Sequence, residues 1–360
     1  MAGKLEEYHS KRDFGRTKEP RGEDGNGAEA AAEGRFVVHQ HNARNLHWDL
    51  RLEHDGVLLS WALPRGVPQL PDKAANRLAV HTEDHPLEYI DFHGEIPAGE
   101  YGAGEMTIWD SGTYEAEKLR SDEVIATFEG ERMKGRYVLF QTRGKNWMIH
   151  RMDPPLDAER VLIPDRLRPM LPSRGPLPAE EEAYGYEIGW GGLRTMLWCE
   201  PGHVRKSEAR GIEDVAALFP ELRRIARRLG STEAVLDGEL VVLGDDGRPD
   251  AAALRERKRA TSDSVAQRLA KQKRATLMLF DLPFCDGRLL TEETYVQRRA
   301  RLEDLELDGE AWQTPSFHRG DGQGLLAAAR EQGLAGLVAK RLDSTYEPGR
   351  RGDAWIKVEA

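Results

Sequence analysis

FVVHQHNARNLHWDLRLEHDGVLLSWAL, residues 36–63, sets the reading of the first half of the chain. From Leu46 it alternates. Leu46, Trp48, Leu50 and Leu52 fall on one face of a strand, and His47, Asp49, Arg51 and Glu53 on the other. Period-2 alternation predicts a strand buried on one side. The polar side of such a strand is ordinarily Lys, Thr and Ser. Here it carries an imidazole, a carboxylate and a guanidinium in succession, with His39 and His41 just upstream. Asp55-Gly56 is a hairpin turn signal, and Val57 to Leu63 reads as the return strand.

Working outward, residues 36–149 read as β-rich. Arg77, His81, Glu83 and His85 share one parity, which predicts a second strand with a chemical face, ended by Pro86. Residues 106–116 predict a hairpin turning at Ser111-Gly112; strands are expected at 123–130 and 136–149. Many short strands with glycine turns point to a sandwich or barrel. Upstream, residues 1–20 read as an arm with a helical turn or two and 21–34 as a flexible, acid- and glycine-rich loop; composition alone favours a disordered leader over the whole arm. Downstream, seven prolines between Pro154 and Pro178 predict a semi-rigid linker over 153–182.

Residues 183–360 alternate strand and helix patterns. Strands are expected at Tyr184 to Ile188, Thr195 to Trp198, Ala234 to Leu243, Ala275 to Asp281 and Gly336 to Lys340. Helices are expected at Val215 to Leu229, Val265 to Lys273, Tyr295 to Leu305 and Gly324 to Gln332. This is an α/β or α+β domain.

The 360 residues suit about two domains of roughly 150 each. Eight of the eleven histidines lie at or before His93, so the two halves differ chemically. A net charge of −10 gives no whole-surface attraction to nucleic acid; a local basic site would have to supply it. Two cysteines, Cys199 and Cys285, make no disulfide framework, and a reducing cytoplasm is expected. The N-terminus has no apolar core, so no signal peptide and no membrane span are expected.

His41-x5-His47-x-Asp49 brings two imidazoles and a carboxylate together. Such a set suits Mn²⁺, Zn²⁺ or Fe²⁺, and spacing alone does not choose among them. Arg51, Arg77 and His85 would add positive charge there, which favours phosphoryl chemistry over the oxygenase chemistry of a 2-His-1-carboxylate site. Surface histidines on a β-domain are the plain alternative.

The stretches FVVHQHNARNLHWDLRLEHDGVLLSWALPRG, RLAVHTEDHPLEYIDFHGEIPAGEYGAGEMTIWDSGTYE and KRDFGRTKEP together resemble the 3′-phosphoesterase domain of bacterial DNA ligase D over most of residues 8–150. The resemblance implies a β-barrel with bound Mn²⁺. It also implies removal of a 3′-terminal ribonucleoside, then of the 3′ phosphate, at a primer–template junction. It assigns His41, His47 and Asp49 to the metal, Arg51 and His85 to the scissile phosphate, and Glu83, Arg77 and Tyr89 to supporting positions. Arg12, Asp13 and Glu19 match a leader motif that folds back onto the site, which replaces the disordered-arm reading of residues 8–20. The family usually has Gln where this chain has His39, and Lys where it has Arg65, a substrate-side position.

The second half resembles the adenylation domain of ATP-dependent DNA ligases over residues 167–360. Tyr184 to Arg194 matches the first motif, Asp237-Gly-Glu239 the third, Phe280-Asp281 the adenine-stacking motif, and Lys340 and Trp355-Ile-Lys357 the last two. Gly189 stands where the family has its nucleophilic Lys, Gly191 where it has Asp, Ala335 where it has Glu, and Glu359 where it has a second Lys. A covalent nucleotidyl intermediate needs an amine, and glycine has no side chain to supply one. Arg194, Glu239, Phe280, Lys340 and Lys357 are then remnants of a nucleotide pocket, and ATP binding is left open. The basic segment Arg255 to Thr261 is either a DNA contact or a solvated face.

The expectation is a multidomain chain. Residues 1–152 form a phosphoesterase domain, with a β-barrel core at 36–150 and the leader motif at 8–20; 153–182 are the linker. Residues 183–360 are a degenerate nucleotidyltransferase-like domain, with no oligonucleotide-binding domain after it. The expected partners are DNA primer–template 3′ ends and, by resemblance, Ku-like, polymerase or ligase repair proteins in a nucleoid-associated cytoplasmic setting. A non-catalytic end-binding scaffold and a working ligase are the alternatives; the glycine at position 189 argues against the second.

Overall fold

The structure is a computed structural model that describes residues 5–22 and 33–360. Most of the loop expected at 21–34 therefore lies outside the described residues. The chain divides into two compact units, Met1–Leu162 and Ile163–Ala360.

In the first unit a short helix, α1 (Glu6–Ser10), precedes nine strands. They are β1 (Glu33–Asn42), β2 (Leu46–His54), β3 (Val57–Leu63), β4 (Arg77–His81), β5 (Gly94–Ile96), β6 (Gly104–Leu119), β7 (Glu123–Glu129), β8 (Lys134–Arg143) and β9 (Asn146–Arg151). They pair in the order β1-β2-β3-β4-β9-β8-β7-β6, and β6 pairs back onto β1, so eight strands close a barrel; β5 hangs on β6. Closure removes the free edges an open sheet would expose.

The alternation of residues 46–53 is the barrel wall. Leu46, Trp48, Leu50 and Leu52 join Phe36, Trp61, Phe128, Tyr137 and Trp147 in the interior core. His47, Asp49 and Arg51 are on the outer face. That face is buried too, because a second apolar cluster of Tyr8, Val37, Leu58, Tyr89, Ile90, Ile96 and Met106 packs on it. Tyr8 comes from the leader, and Tyr89 and Ile90 from a 3₁₀ turn at Leu87–Asp91.

Three local expectations change. No hairpin turns at Ser111-Gly112: β6 runs straight through, pairing with β1 on one side and β7 on the other. The ladders on both sides fix an extended backbone there, and Gly112 is needed because a Cβ would come within 2.1 Å of the Glu129 carbonyl oxygen. Residues 136–149 are two strands, β8 and β9, turning at Gly144 with φ +55°. The strand expected over 77–85 ends at His81. Arg77 pairs with Ile149 and His81 with Trp61, both core residues, so these two start from the interior side. The chain then crosses to β3, where His85 bridges Leu58 on the outer side.

The second unit has two sheets. One runs in the order β10 (Leu171–Arg174), β20 (Arg351–Glu359), β19 (Gly336–Arg341), β11 (Tyr184–Gly189), β18 (His318–Arg319). The other runs β13 (His203–Ala209), β12 (Leu193–Glu200), β14 (Ala234–Val242), β15 (Ala275–Cys285), β16 (Arg288–Leu289), with β17 (Trp312–Gln313) beside β15. Pairing is antiparallel except at β10–β20 and β15–β17, so the unit is α+β. Its helices are α2 (Val215–Leu218), α3 (Ile225–Leu229), α4 (Ala251–Arg257), α5 (Asp263–Gln272), α6 (Tyr295–Asp304) and α7 (Gly322–Glu331). The single helix expected over 215–229 is broken, because Pro220 starts a 3₁₀ turn between α2 and α3. The stretch expected as linker is partly structure: Ile163 and Met170 are buried and β10 pairs with β20. Among the described residues no helix is long and apolar enough to cross a membrane.

Candidate active site

The outer face of β1, β2 and β3 assembles the first site by register. His41 lies opposite His47, His39 opposite Asp49, and Arg51 opposite both Val37 and Ser60. His41 Nδ1 and His47 Nε2 each sit 3.6 Å from an Asp49 oxygen. The other nitrogen of each ring is committed: His41 Nε2–H donates to the Gly102 carbonyl at 2.8 Å and His47 Nδ1–H to the Asn45 carbonyl at 3.0 Å. In a neutral ring so fixed, the nitrogen that faces Asp49 carries the lone pair. Two lone pairs and a carboxylate within 4.8 Å of one another repel unless a cation lies between them. Backbone acceptors that fix imidazole tautomers are the usual support of a metal ligand. The residues fit a divalent ion.

Burial alone would raise the Asp49 carboxyl, but the Arg51 guanidinium holds it well below the usual carboxylate range. Arg51 donates to Asp49 at 3.1 Å and to Ser60 Oγ at 2.9 Å. Its Nε is buried with no partner among the described residues. Ser60 Oγ in turn donates to the Leu58 carbonyl at 3.0 Å.

His85 closes the far side. Its Nδ1–H donates to the Glu83 carbonyl at 2.8 Å, so its Nε2 accepts from Arg12 at 3.3 Å. Burial, then Arg51 and Arg12, push its pKa well below the ordinary value, and the ring is neutral. Arg12 also donates to Glu19 at 2.7 Å, to the Tyr8 carbonyl at 3.1 Å and to Glu83 at 3.3 Å. Tyr89 donates its hydroxyl to Glu19 at 2.9 Å and carries the Arg51 guanidinium over its ring at 4.8 Å. His39 is fully buried, edge-on to Tyr89; burial and then Arg51 push its pKa down to about 3.

In the second unit a cavity of about 200 Å³ lies between the sheets, lined by Glu187, Gly189, Arg194, Glu239, Phe280, Lys340 and Lys357 among others. Lys340 Nζ pairs with Glu187 at 2.7 Å and lies over Phe280 at 4.0 Å and Trp355 at 4.3 Å. Burial lowers its pKa despite Glu187. Arg194 forks onto Asp237 at 2.6 and 2.5 Å. Glu239 accepts the Trp190 and Gly192 N–H groups at 3.1 and 2.7 Å. Gly189 sits on β11 opposite Gly336.

Residues 39–141 match the DNA ligase D 3′-phosphoesterase domain, and residues 173–359 match the ATP dependent DNA ligase domain. The chain belongs to the ATP dependent DNA ligase domain family and carries a DNA ligase D 3′-phosphoesterase domain ahead of it. It is 40% identical over 369 residues to the multifunctional non-homologous end joining protein LigD of Mycolicibacterium smegmatis, covering 99% of this chain and 46% of that one. The protein of the same name from Pseudomonas aeruginosa is 36% identical over 409 residues, covering 99% and 47%. The chain spans about half the length of the curated relatives it matches. A solved structure, mycobacterial DNA ligase D complexed with ATP and MES, aligns at 34% identity and TM-score 0.46, covering 54% of this chain and 60% of that one.

Within this 3′-phosphoesterase domain, ten residues meet around one surface: His41, His47, Asp49, Arg51, Ser60, His85, Glu83, Arg12, Glu19 and Tyr89. Asp13 is exposed and caps a local turn through the Gly15 N–H at 3.0 Å. Arg65 is exposed in the loop after β3, and Arg77 is buried across from Ile149. Ser60 and Lys11, which donates to Glu83 at 2.9 Å, were not anticipated. A lone hydroxyl on the outer-face parity of VLLSWAL was the available signal for Ser60. The basic segment divides: Arg257 is buried against Glu221 at 2.8 Å, while Arg255, Arg259 and Arg268 line an exposed groove between α4 and α5.

Proposed function

We propose that the first unit is a Mn²⁺-dependent 3′-end-healing phosphodiesterase and phosphomonoesterase acting on DNA ends. The observation that carries this is the pair of imidazoles that each spend one nitrogen on a backbone carbonyl and turn the other toward Asp49 at 3.6 Å, three ligand atoms within 4.8 Å of one another. His41, His47 and Asp49 would hold a divalent ion, which would supply Lewis acidity toward a phosphoryl oxygen. Arg51 offers its buried, unpartnered Nε to a second oxygen and stabilises charge that builds there. His85 Nε2 accepts from Arg12 and so orients that guanidinium, while burial and the two arginines favour its neutral form. Tyr89, Glu19 and Glu83 hold those guanidinium groups in place.

The second unit, on this reading, makes no adenylate. Gly189 offers no amine, and Lys340 is tied to Glu187. The unit serves instead to hold DNA, through the groove of Arg255, Arg259 and Arg268. The relatives' end-joining name supports DNA ends as the substrate; primer–template 3′ ends in the nucleoid, beside Ku-like, polymerase or ligase proteins, are part of the same proposal.

The test is a primer–template with a 3′-terminal ribonucleotide, incubated with the full chain and Mn²⁺, beside His47→Ala and Asp49→Ala. Shortening to a 3′-phosphate and then a 3′-OH end, lost in both variants, is the expected result. An uncut primer that still binds would favour a scaffold.

A further inference from the structure

We propose that Tyr101 is the stacking platform for the base of the 3′-terminal nucleotide. This rests on the phosphoesterase reading of the neighbouring site.

Tyr101 lies in the loop between β5 and β6. Two backbone hydrogen bonds tighten that loop, from Glu100 N–H to the Pro97 carbonyl and from Ala103 N–H to the Glu100 carbonyl, both 3.2 Å. The next residue, Gly102, holds φ at +76°, a left-handed conformation that favours glycine, and its carbonyl fixes the tautomer of His41. Tyr101 is thus one peptide, about 3.8 Å along the chain, from the support of a metal ligand. Its ring packs beside Lys11 and Arg12, which reach Glu83 and His85 of that site.

The ring is 50% exposed, and among the described residues it is the most exposed Tyr, Phe or Trp. Its hydroxyl has no hydrogen-bond partner there. What hold it are cations: Lys11 Nζ lies 5.0 Å and Arg12 Cζ 5.5 Å from its centroid. Arg12 is in turn 3.8 Å from the Tyr8 ring. Glu100 binds the same loop to the leader through Arg16 at 3.1 Å. The structure therefore fixes an aromatic face beside these cations and leaves much of it to water.

An exposed ring of this kind gains from a flat partner that brings negative charge with it. A nucleotide end has both parts: a π-face for the ring and a phosphate for the metal and Arg51. Base-on-aromatic stacking is sequence-tolerant, since every base has a π-face. It would position any terminal nucleotide without reading it, which suits repair of arbitrary ends.

Tyr101→Ala and Tyr101→Phe in the full chain test this on two 3′-phosphate primer–templates, one with an ordinary terminal base and one abasic at that position. On the ordinary end, Tyr101→Ala is expected to raise KM by about tenfold or more while kcat changes little, and Tyr101→Phe to recover most of the loss. On the abasic end, the wild-type protein and Tyr101→Ala should have similar KM. Mn²⁺ affinity, read by paramagnetic resonance, should be unchanged, which shows that His41 still stands. An unchanged KM on the ordinary end, or an equal loss on both ends, overturns the platform. If the wild-type protein cuts neither end, the phosphoesterase reading fails; anisotropy binding of the same duplexes then reads the platform by the same comparison.

Discussion

The Arg12 guanidinium donates to Nε2 of His85 at 3.3 Å, across 73 residues of sequence. The same guanidinium serves Glu19, Glu83 and the Tyr8 carbonyl, with both carboxylates nearly inaccessible. Arg12→Ala leaves two buried carboxylates short of a partner, a loss of about 3–5 kcal/mol in leader docking. Hydrogen exchange should speed over residues 5–20 while the barrel strands stay protected, and end cleavage should fall. Arg12→Lys should rescue little, because an ammonium lacks the planar fork that spans these acceptors.

Acid should undock the leader. Burial raises the Glu83 carboxyl, but Lys11 and Arg12 outweigh it and hold the folded value below the ordinary 4.5. Its contribution is present above the unfolded pKa and lost as pH falls through the folded one. His85 acts in the same direction: the unfolded imidazole takes a proton near 6.5 while the folded one resists it, so stability drops as pH falls below that value. Protection factors over residues 5–20, taken against the intrinsic exchange rate at each pH, should fall steadily from pH 7 to 4, and Glu83→Gln should flatten the lower part of that curve.

Ser60 links Arg51 to the β3 backbone without facing the imidazole–carboxylate cluster. Ser60→Ala should therefore lower kcat, by roughly tenfold on the scale of one weakened transition-state interaction, and leave Mn²⁺ affinity alone. Steady-state kinetics beside a metal titration separates the two. A parallel loss of metal affinity would show that Ser60 supports Asp49 as well.

Restoring one amine should not restore adenylation. A Cβ at Gly189 meets the Gly336 carbonyl oxygen at 3.2 Å, a tight but passable fit, so Gly189→Lys should fold. Gly191 and Ala335 still lack the carboxylates that the ligase pattern places there, and Lys340 already takes up Glu187. Incubation with labelled ATP should give no covalent band in the wild-type chain or in this variant.

Arg255, Arg259 and Arg268 make no ion pair among the described residues, whereas nearby Lys273 and Arg274 pair with Glu256 and Glu310. Reversing all three to Glu should weaken binding of the full chain to duplex DNA. It should also flatten the salt dependence, by about 0.9 in logarithmic slope for each phosphate the variant no longer neutralises. Thermal unfolding should be unmoved, since the three side chains are exposed.

The barrel wall and the metal cluster were legible in sequence because strand parity is a local rule: His47, Asp49 and Arg51 had to share a face with one another. What parity does not carry is the path between strands. Arg77 and His85 match in parity, yet the crossing from β4 to β3 puts them on opposite sides of the wall. Ser111-Gly112 has turn chemistry, yet pairing on both sides of β6 keeps it extended. The hydrogen bond from Arg12 to His85 had no local signal at all; the family leader motif pointed toward the site but not to that partner.

The reactive groups are on the outside of the barrel, and the leader supplies their roof. The barrel is held by a closed core and the roof by a strip of some fifteen residues and its ion pairs, and local opening is drawn from elements with few buried contacts. Evolution or an engineer can adjust how often the roof lifts, and with it substrate entry and product escape, without touching a single interior side chain.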